Sequence, residues 1–438
     1  MTGAIEWHSG DVDAALALAR SSGRPLFLYW GAAWCPPCNR VKSDIFARPE
    51  FAARMKTLLP FWLDGDEPGA QALAERLRLR SYPTLVLFTP GGREVTRLPC
   101  ELDSELFIEA LDAALDASRS AAESLQAALD GSRALSSEEW TLLSNYSWDT
   151  DEDVILAGRD LGATLHALAA ASTDAKAAVR LRLHALVTTA GMGIDAAFVQ
   201  QVCADAASAR ANMDIFGNSG HVLVRAAGTQ QAPLAQAMAA AAQQWAGDTW
   251  LSAPDRLTAT RLQARMARLG YEAPDMAAQV REAAAQALAE ADSPYQRHTT
   301  VNTAASALND AGLYAEAEAL LKAELPASHS PYYFMLSLAA SAKRRNDRAA
   351  VVDWYERAWR GAVGPATRLQ WGATYLLALA DFAPQDQPRC EAAAEGIRGD
   401  LQQAGGIHQR NRTQAQRMLA RLPQFLGPQA RALEAALQ

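Results

Sequence analysis

The stretch Trp34-Cys35-Pro36-Pro37-Cys38 restricts this chain more than any other. It follows an apolar run, Pro25 to Trp30, and precedes a helix-compatible segment from Asn39 to Phe46. Two cysteines two residues apart can close a small disulfide when they sit on the first turn of a helix. Free backbone N–H groups and the helix dipole stabilise a thiolate there, so the first cysteine becomes a nucleophile near neutral pH. An apolar strand, a loop with Gly31 and a helix form the setting that a redox reading of C-x-x-C demands. The competing readings are a structural pair and a zinc half-site. Zinc would need two more ligands, and Cys100, Cys203, Cys390 and the seven histidines offer no second pair at ligand spacing. No metal and no cofactor are therefore expected. Pro36 is tolerated in a first helical turn, and Pro37 adds stiffness.

A second group of residues supports the same reading. Ser81-Tyr82-Pro83-Thr84 leads into the apolar run Leu85-Val86-Leu87-Phe88, and Gly91-Gly92 turns into Glu94-Val95-Thr96-Arg97-Leu98, with a helix from Ser104. With the C-x-x-C segment, these residues make Ile5 to Leu115 resemble a thioredoxin-fold domain. Pro25-Leu26-Phe27-Leu28 and Ile45 to Phe51 are similar to the thioredoxin-like domains of membrane electron-transfer reductases. The resemblance implies an α/β sheet flanked by helices in the order αβαβαββα. It also implies that Pro83 is the cis-proline of a loop lying against the sulfurs. In this reading Cys35 is the exposed attacking thiolate and Cys38 the buried resolving thiol. Trp34 is a site-edge aromatic, while Tyr82 and Thr84 flank Pro83 in the substrate-binding loop. One position departs from the pattern. Thioredoxins carry a buried acid six residues before the first cysteine, and Tyr29 stands there; the lysine that pairs with that acid is not evident in Phe61-Trp62-Leu63.

Composition narrows the function classes. The chain has 438 residues, half of them hydrophobic, and a net charge of −8. That length exceeds one ordinary domain. No lysine/arginine block gathers, and the alternating Arg76, Arg78 and Arg80 read as a solvated face, so nucleic acid and anionic membrane are disfavoured as partners. Met1 to Gly10 lacks the basic and apolar regions of a signal peptide, and no apolar stretch is long enough to span a bilayer. Five cysteines in such a length make no disulfide framework, which fits a reducing cytoplasm.

From about Ser118 the strand signals vanish and apolar residues recur at three- and four-residue spacing. Gly312 to Leu321 matches the turn and second helix of a tetratricopeptide (TPR) repeat, and Asn346 to Ala358 matches it again 34 residues later, the period of that repeat. A third, imperfect unit falls at Ala380-Asp381-Phe382. The expected division is a thioredoxin-like domain over 1–118, an α-helical domain over 119–293, read either as degenerate helical hairpins or as a separate helical domain, and TPR-like repeats over 294–438. Cys100 reads as a small apolar filler, and Cys203 and Cys390 as core. His166 and His184 read as packing or surface, and Trp140, Trp148, Trp354, Trp359 and Trp371 as fillers between hairpins.

The expected activity is thiol–disulfide exchange with a protein client bearing a disulfide or an exposed cysteine. The helical part would position the client, and an unidentified thiol reductase would resupply electrons. The alternatives are a holdase chaperone, since the layout resembles that of bacterial chaperedoxins, and a TPR-like scaffold.

Overall fold

The computed structural model describes residues 5–79, 81–151, 153–403 and 408–421. Arg80 of the alternating arginine set lies outside them. Helix α1 (Val12–Ser22) begins at Asp11, whose carboxylate accepts the N–H groups of Asp13 and Ala14. Strand β1 (Leu26–Gly31) follows, with all six residues buried. Helix α2 (Pro36–Arg40) runs into a π-helical turn, Val41–Ile45, where the Phe46 N–H donates to the Val41 carbonyl at 2.9 Å. The sequence-based order missed the next element, α3 (Pro49–Met55). Pro49 starts it at a position where a missing N–H costs nothing, and Phe51 then stacks on Phe46 with ring centroids 4.8 Å apart. After α3 come β2 (Leu59–Asp64), α4 (Ala70–Arg76), β3 (Thr84–Phe88), β4 (Glu94–Leu98) and α5 (Ser104–Asp116). The order is thus αβααβαββα.

The four strands form one sheet in the order β2-β1-β3-β4, with β3 and β4 antiparallel and Val86 opposite Arg97. Strands β1 and β3 lie inside the sheet and are buried along their whole length, which explains their unbroken apolar runs. Trp7, Phe27, Tyr29, Phe46 and Phe51 pack together as an aromatic layer. Tyr29 therefore fills the place of the expected acid with a ring. The Lys42 ammonium lies 5.8 Å from the Tyr29 centroid, 5.3 Å from Trp62 and 5.0 Å from Tyr295, a cation held by aromatic faces.

Two compact units share the chain. The first takes the residues up to Tyr29, Asn39–Trp62 and Pro83–Gly312. Its helices between Ala121–Asp130 and Pro294–Asp310 enclose a core that includes Val199, Phe216, Leu234, Met238, Trp245 and Leu262. Arg97, fully buried on β4, pairs with Glu94 at 2.9 Å and donates to the Thr150 carbonyl at 3.1 Å, which joins the strand to the turn after Ser147.

The second unit takes Trp30–Cys38, Leu63–Tyr82 and the chain from Leu313 onward. Its helices Tyr314–Glu324, Pro331–Arg344, Arg348–Gly361, Pro365–Phe382 and Gln387–Gln403 pack consecutively. Gly312 and Asn346, 34 residues apart, both adopt positive φ (83° and 59°) in the turns before Tyr314–Glu324 and Arg348–Gly361. Among the described residues no helix is long and apolar enough to cross a membrane.

Candidate functional site

The dithiol is built by a strand end and a helix start. Gly31 closes β1, Cys35 is the residue before α2, and Pro36 and Pro37 form the first turn. Cys35 occupies the N-cap place, and its sulfur accepts the Cys38 backbone N–H at 3.2 Å. A serine or aspartate at an N-cap accepts the same N–H with oxygen; here the Cys35 sulfur takes that role. The two cysteines are in the reduced form, not joined as a disulfide.

Exposure is where expectation and structure part. Cys38 is fully buried, as expected for a resolving thiol, but Cys35 is only 2% exposed and Trp34 only 6%. Trp34 is enclosed rather than at the edge of an open site. Its indole N–H donates to the Thr367 hydroxyl at 2.7 Å. Its ring stacks on Tyr333 (5.9 Å, 18° between planes) and meets Trp371 (5.1 Å, 71°) and Tyr82 (5.8 Å, 79°) edge to face. Trp371 therefore packs against the residue beside Cys35 and is more than a filler between hairpins.

Thr367 is itself anchored. Its backbone N–H (2.9 Å) and its hydroxyl both donate to Asp66 in the loop after β2. Burial raises the pKa of Asp66, and the two bonds from Thr367 oppose that rise. The backbone just ahead of Thr367 approaches closely: Gly364 lies at φ 94°, and a Cβ there would fall 2.2 Å from the Asp66 carboxyl carbon. Tyr333 has its hydroxyl pKa pushed up to about 12, chiefly by burial and then by charge on Cys35 and Cys38. The His329 Nε2–H donates to the Ala33 carbonyl at 3.2 Å, and the Tyr82 hydroxyl accepts from Gln71 at 3.0 Å.

Of the residues singled out from sequence, Trp34, Cys35, Pro36, Pro37, Cys38 and Tyr82 lie in the second unit. Pro83 and Thr84 belong to the first, both buried at the head of β3. Cys203 and Cys390 are buried, the former with its thiol pKa pushed up to about 12 by burial. Cys100 is partly buried and donates to Glu101 at 3.1 Å. Among the described residues no three His, Cys, Asp or Glu side chains gather as a metal site. Sequence reasoning missed Tyr333, Thr367 and Asp66. No local signal marks them, because 333 residues separate Thr367 from the Trp34 it bonds.

Comparison with known proteins agrees with this geometry. Residues 12–115 match the thioredoxin-like domain family. That domain is similar to thiol:disulfide interchange protein DsbD 1 of Pseudomonas aeruginosa, 35% identical over 95 residues, covering 20% of this chain and 16% of that protein. DsbD 2 of the same organism is 28% identical over 102 residues, covering 22% of this chain and 17% of its own length. The chain thus spans about a sixth of the curated relatives it matches. Among solved structures, a thioredoxin from Thermus thermophilus matches at 26% identity and a TM-score of 0.24, covering 26% of this chain and 89% of that one. A DsbH oxidoreductase matches at 20% identity and a TM-score of 0.23, covering 25% of this chain and 84% of its own.

Proposed function

We propose that this chain is a thiol–disulfide oxidoreductase acting on protein disulfides, with Cys35 as nucleophile and Cys38 as resolving thiol. The observation that carries the reading is the Cys35 sulfur at an N-cap, taking the Cys38 N–H at 3.2 Å. The similarity of residues 12–115 to thiol:disulfide interchange proteins supports it. The Cys35 thiolate attacks one sulfur of the client disulfide, forming a mixed disulfide and releasing one client thiolate. The Cys38 thiolate then attacks the Cys35 sulfur, and the second client thiolate leaves. Two electrons pass to the client, and the Cys35–Cys38 disulfide awaits a dithiol reductase. Trp34, Pro36 and Pro37 shape the site, and the Tyr82-Pro83-Thr84 loop, with Pro83 as a cis-proline, holds the client backbone. In this reading the exchange takes place in the reducing cytoplasm.

The helical hairpins of the second unit are read as TPR-like and as the part that positions the client. The repeated left-handed turns at Gly312 and Asn346 support this. A holdase chaperone needs gathered apolar surface. The exposed large apolar side chains among the described residues are Leu18, Met192, Trp250 and Val363, each on a different segment, so the oxidoreductase stands ahead.

The test is reduction of insulin disulfides by the full chain. Cys35→Ser abolishes turnover, whereas Cys38→Ser forms a mixed disulfide that non-reducing electrophoresis detects. Turnover unchanged in both variants rules out the assignment.

A further inference from the structure

Resting on the oxidoreductase reading, a second inference concerns how the dithiol is reached. In-line attack on a disulfide needs an open path to the attacking sulfur, and Cys35 is 2% exposed. The residue beside it is covered from the far end of the chain. Tyr333 on the helix Pro331–Arg344 and Thr367 and Trp371 on the helix Pro365–Phe382 all close on Trp34, one residue before the nucleophile. The cover is held by a relay of hydrogen bonds: Trp34 donates to Thr367, and Thr367 donates to Asp66. Secondary ties reinforce it. His329 donates to the carbonyl of Ala33, and on α4 the Glu75 carboxylate takes contacts from His408 and Arg412, each at 3.1 Å.

We propose that Tyr333, Thr367 and Trp371 form a gate that shuts the dithiol from protein disulfides, and that a client reaches Cys35 only once they leave Trp34. The closed gate then selects clients. A disulfide protein that cannot displace these three side chains meets a buried sulfur, and its apparent reactivity falls by the fraction of molecules that are open. A client that binds the helices bearing the gate favours the open form by its differential affinity and is reduced in preference. Opening exposes apolar rings and breaks the Trp34–Thr367–Asp66 relay, while the covalent chemistry of the cysteines is unchanged.

The experiment is the alkylation rate of Cys35 in the reduced full chain, followed by peptide mass spectrometry with iodoacetamide and with a bulky polyethylene-glycol maleimide. Insulin reduction is measured on the same samples. Thr367→Val keeps the volume and removes the hydroxyl. It removes both hydrogen bonds of that hydroxyl, to Trp34 and to Asp66, and raises alkylation by the bulky reagent and insulin turnover roughly tenfold or more. Thr367→Ser, which keeps the hydroxyl, stays at the wild-type rate. Tyr333→Ala removes the stacked ring and opens; far-ultraviolet circular dichroism confirms that each variant is folded, and either opening variant alone suffices for the test. Wild-type Cys35 that already reacts with the bulky reagent as fast as in denaturant overturns the gate. So do opening variants that match wild type in alkylation. If the variants alkylate faster yet no form reduces insulin, the gate stands and the oxidoreductase reading fails. If wild type reduces insulin at the rate of the opened variants, the gate falls and the enzyme remains.

Discussion

At the scale of single residues, burial sets the chemistry of the titrating groups. His184, on the helix Ala175–Thr188, has its Nε2 closed to solvent, and its pKa is lowered to about 3 by burial and then by Arg180. The unfolded chain, with an imidazole near 6.5, binds this proton first. Stability from this group is therefore complete above about pH 6.5 and is lost as pH falls toward 3. Between pH 7 and 5.5 the loss is about 1 kcal/mol. His184→Gln should remove that part of the pH dependence, read as the urea midpoint against pH; an unchanged slope would contradict the assignment. Asp44 acts with the opposite sign. Its pKa is raised to about 6 by burial and by Asp255, against the lowering effect of Arg40. The folded form takes up that proton first, so falling pH through 6 relieves a repulsion. The His184 substitution isolates one term from the other.

At the scale of elements, the second unit depends on glycines where a helix surface must be flat. Trp359 on the helix Arg348–Gly361 is received by Gly372 and Gly396 on the next two helices. A Cβ at Gly372 would lie 2.9 Å from the Trp359 indole nitrogen, and one at Gly396 would lie 2.5 Å from its ring. The indole N–H donates to Asp400 at 2.8 Å, and Asp400 also takes Arg368 at 2.8 Å. Alanine for glycine inside a helix normally stabilises by up to about 1 kcal/mol. Here overpacking wins, and Gly396→Ala should destabilise by about 1–3 kcal/mol, measured by chemical denaturation. A more stable variant would show that the Trp359 contact yields without strain. The first unit shows the complementary pattern, with Arg97 and Arg180 as buried ties. Arg180 meets Asp214 at 2.9 and 2.7 Å, and its Nε–H donates to the Ser144 carbonyl.

At the scale of the whole molecule, the second unit is assembled from three stretches far apart in sequence. Closing such long loops costs entropy before their contacts repay it, so these contacts form late in folding. Thr367→Val should then speed unfolding and leave the refolding rate unchanged, as seen in the two arms of a chevron plot. Slower refolding with unchanged unfolding would place the Trp34–Thr367 bond in the folding nucleus.

Much of the N-terminal fold was readable one residue after another. The apolar runs at Leu26 and Leu85, the Gly91-Gly92 turn and the C-x-x-C at a helix start are local signals, with periods of two or 3.6 residues. The helices after Ser118 were equally legible as helices, and the turns at Gly312 and Asn346 showed their spacing. The break into α3 was missed although Pro49 marks its first turn, because the helix before it ends in a π-turn, Val41–Ile45, that no periodicity signals. The lysine among Tyr29, Trp62 and Tyr295 was missed for a related reason: cation–aromatic contacts join residues with no common period. The largest gap concerned the site itself. Local sequence places the Cys35 thiol at a helix start through backbone geometry, which five consecutive residues encode. The burial of that thiol, and the closing of Tyr333, Thr367 and Trp371 on its neighbour Trp34, have no local signal. Burial is a property of what packs on a surface, and only the folded chain brings those side chains to Trp34.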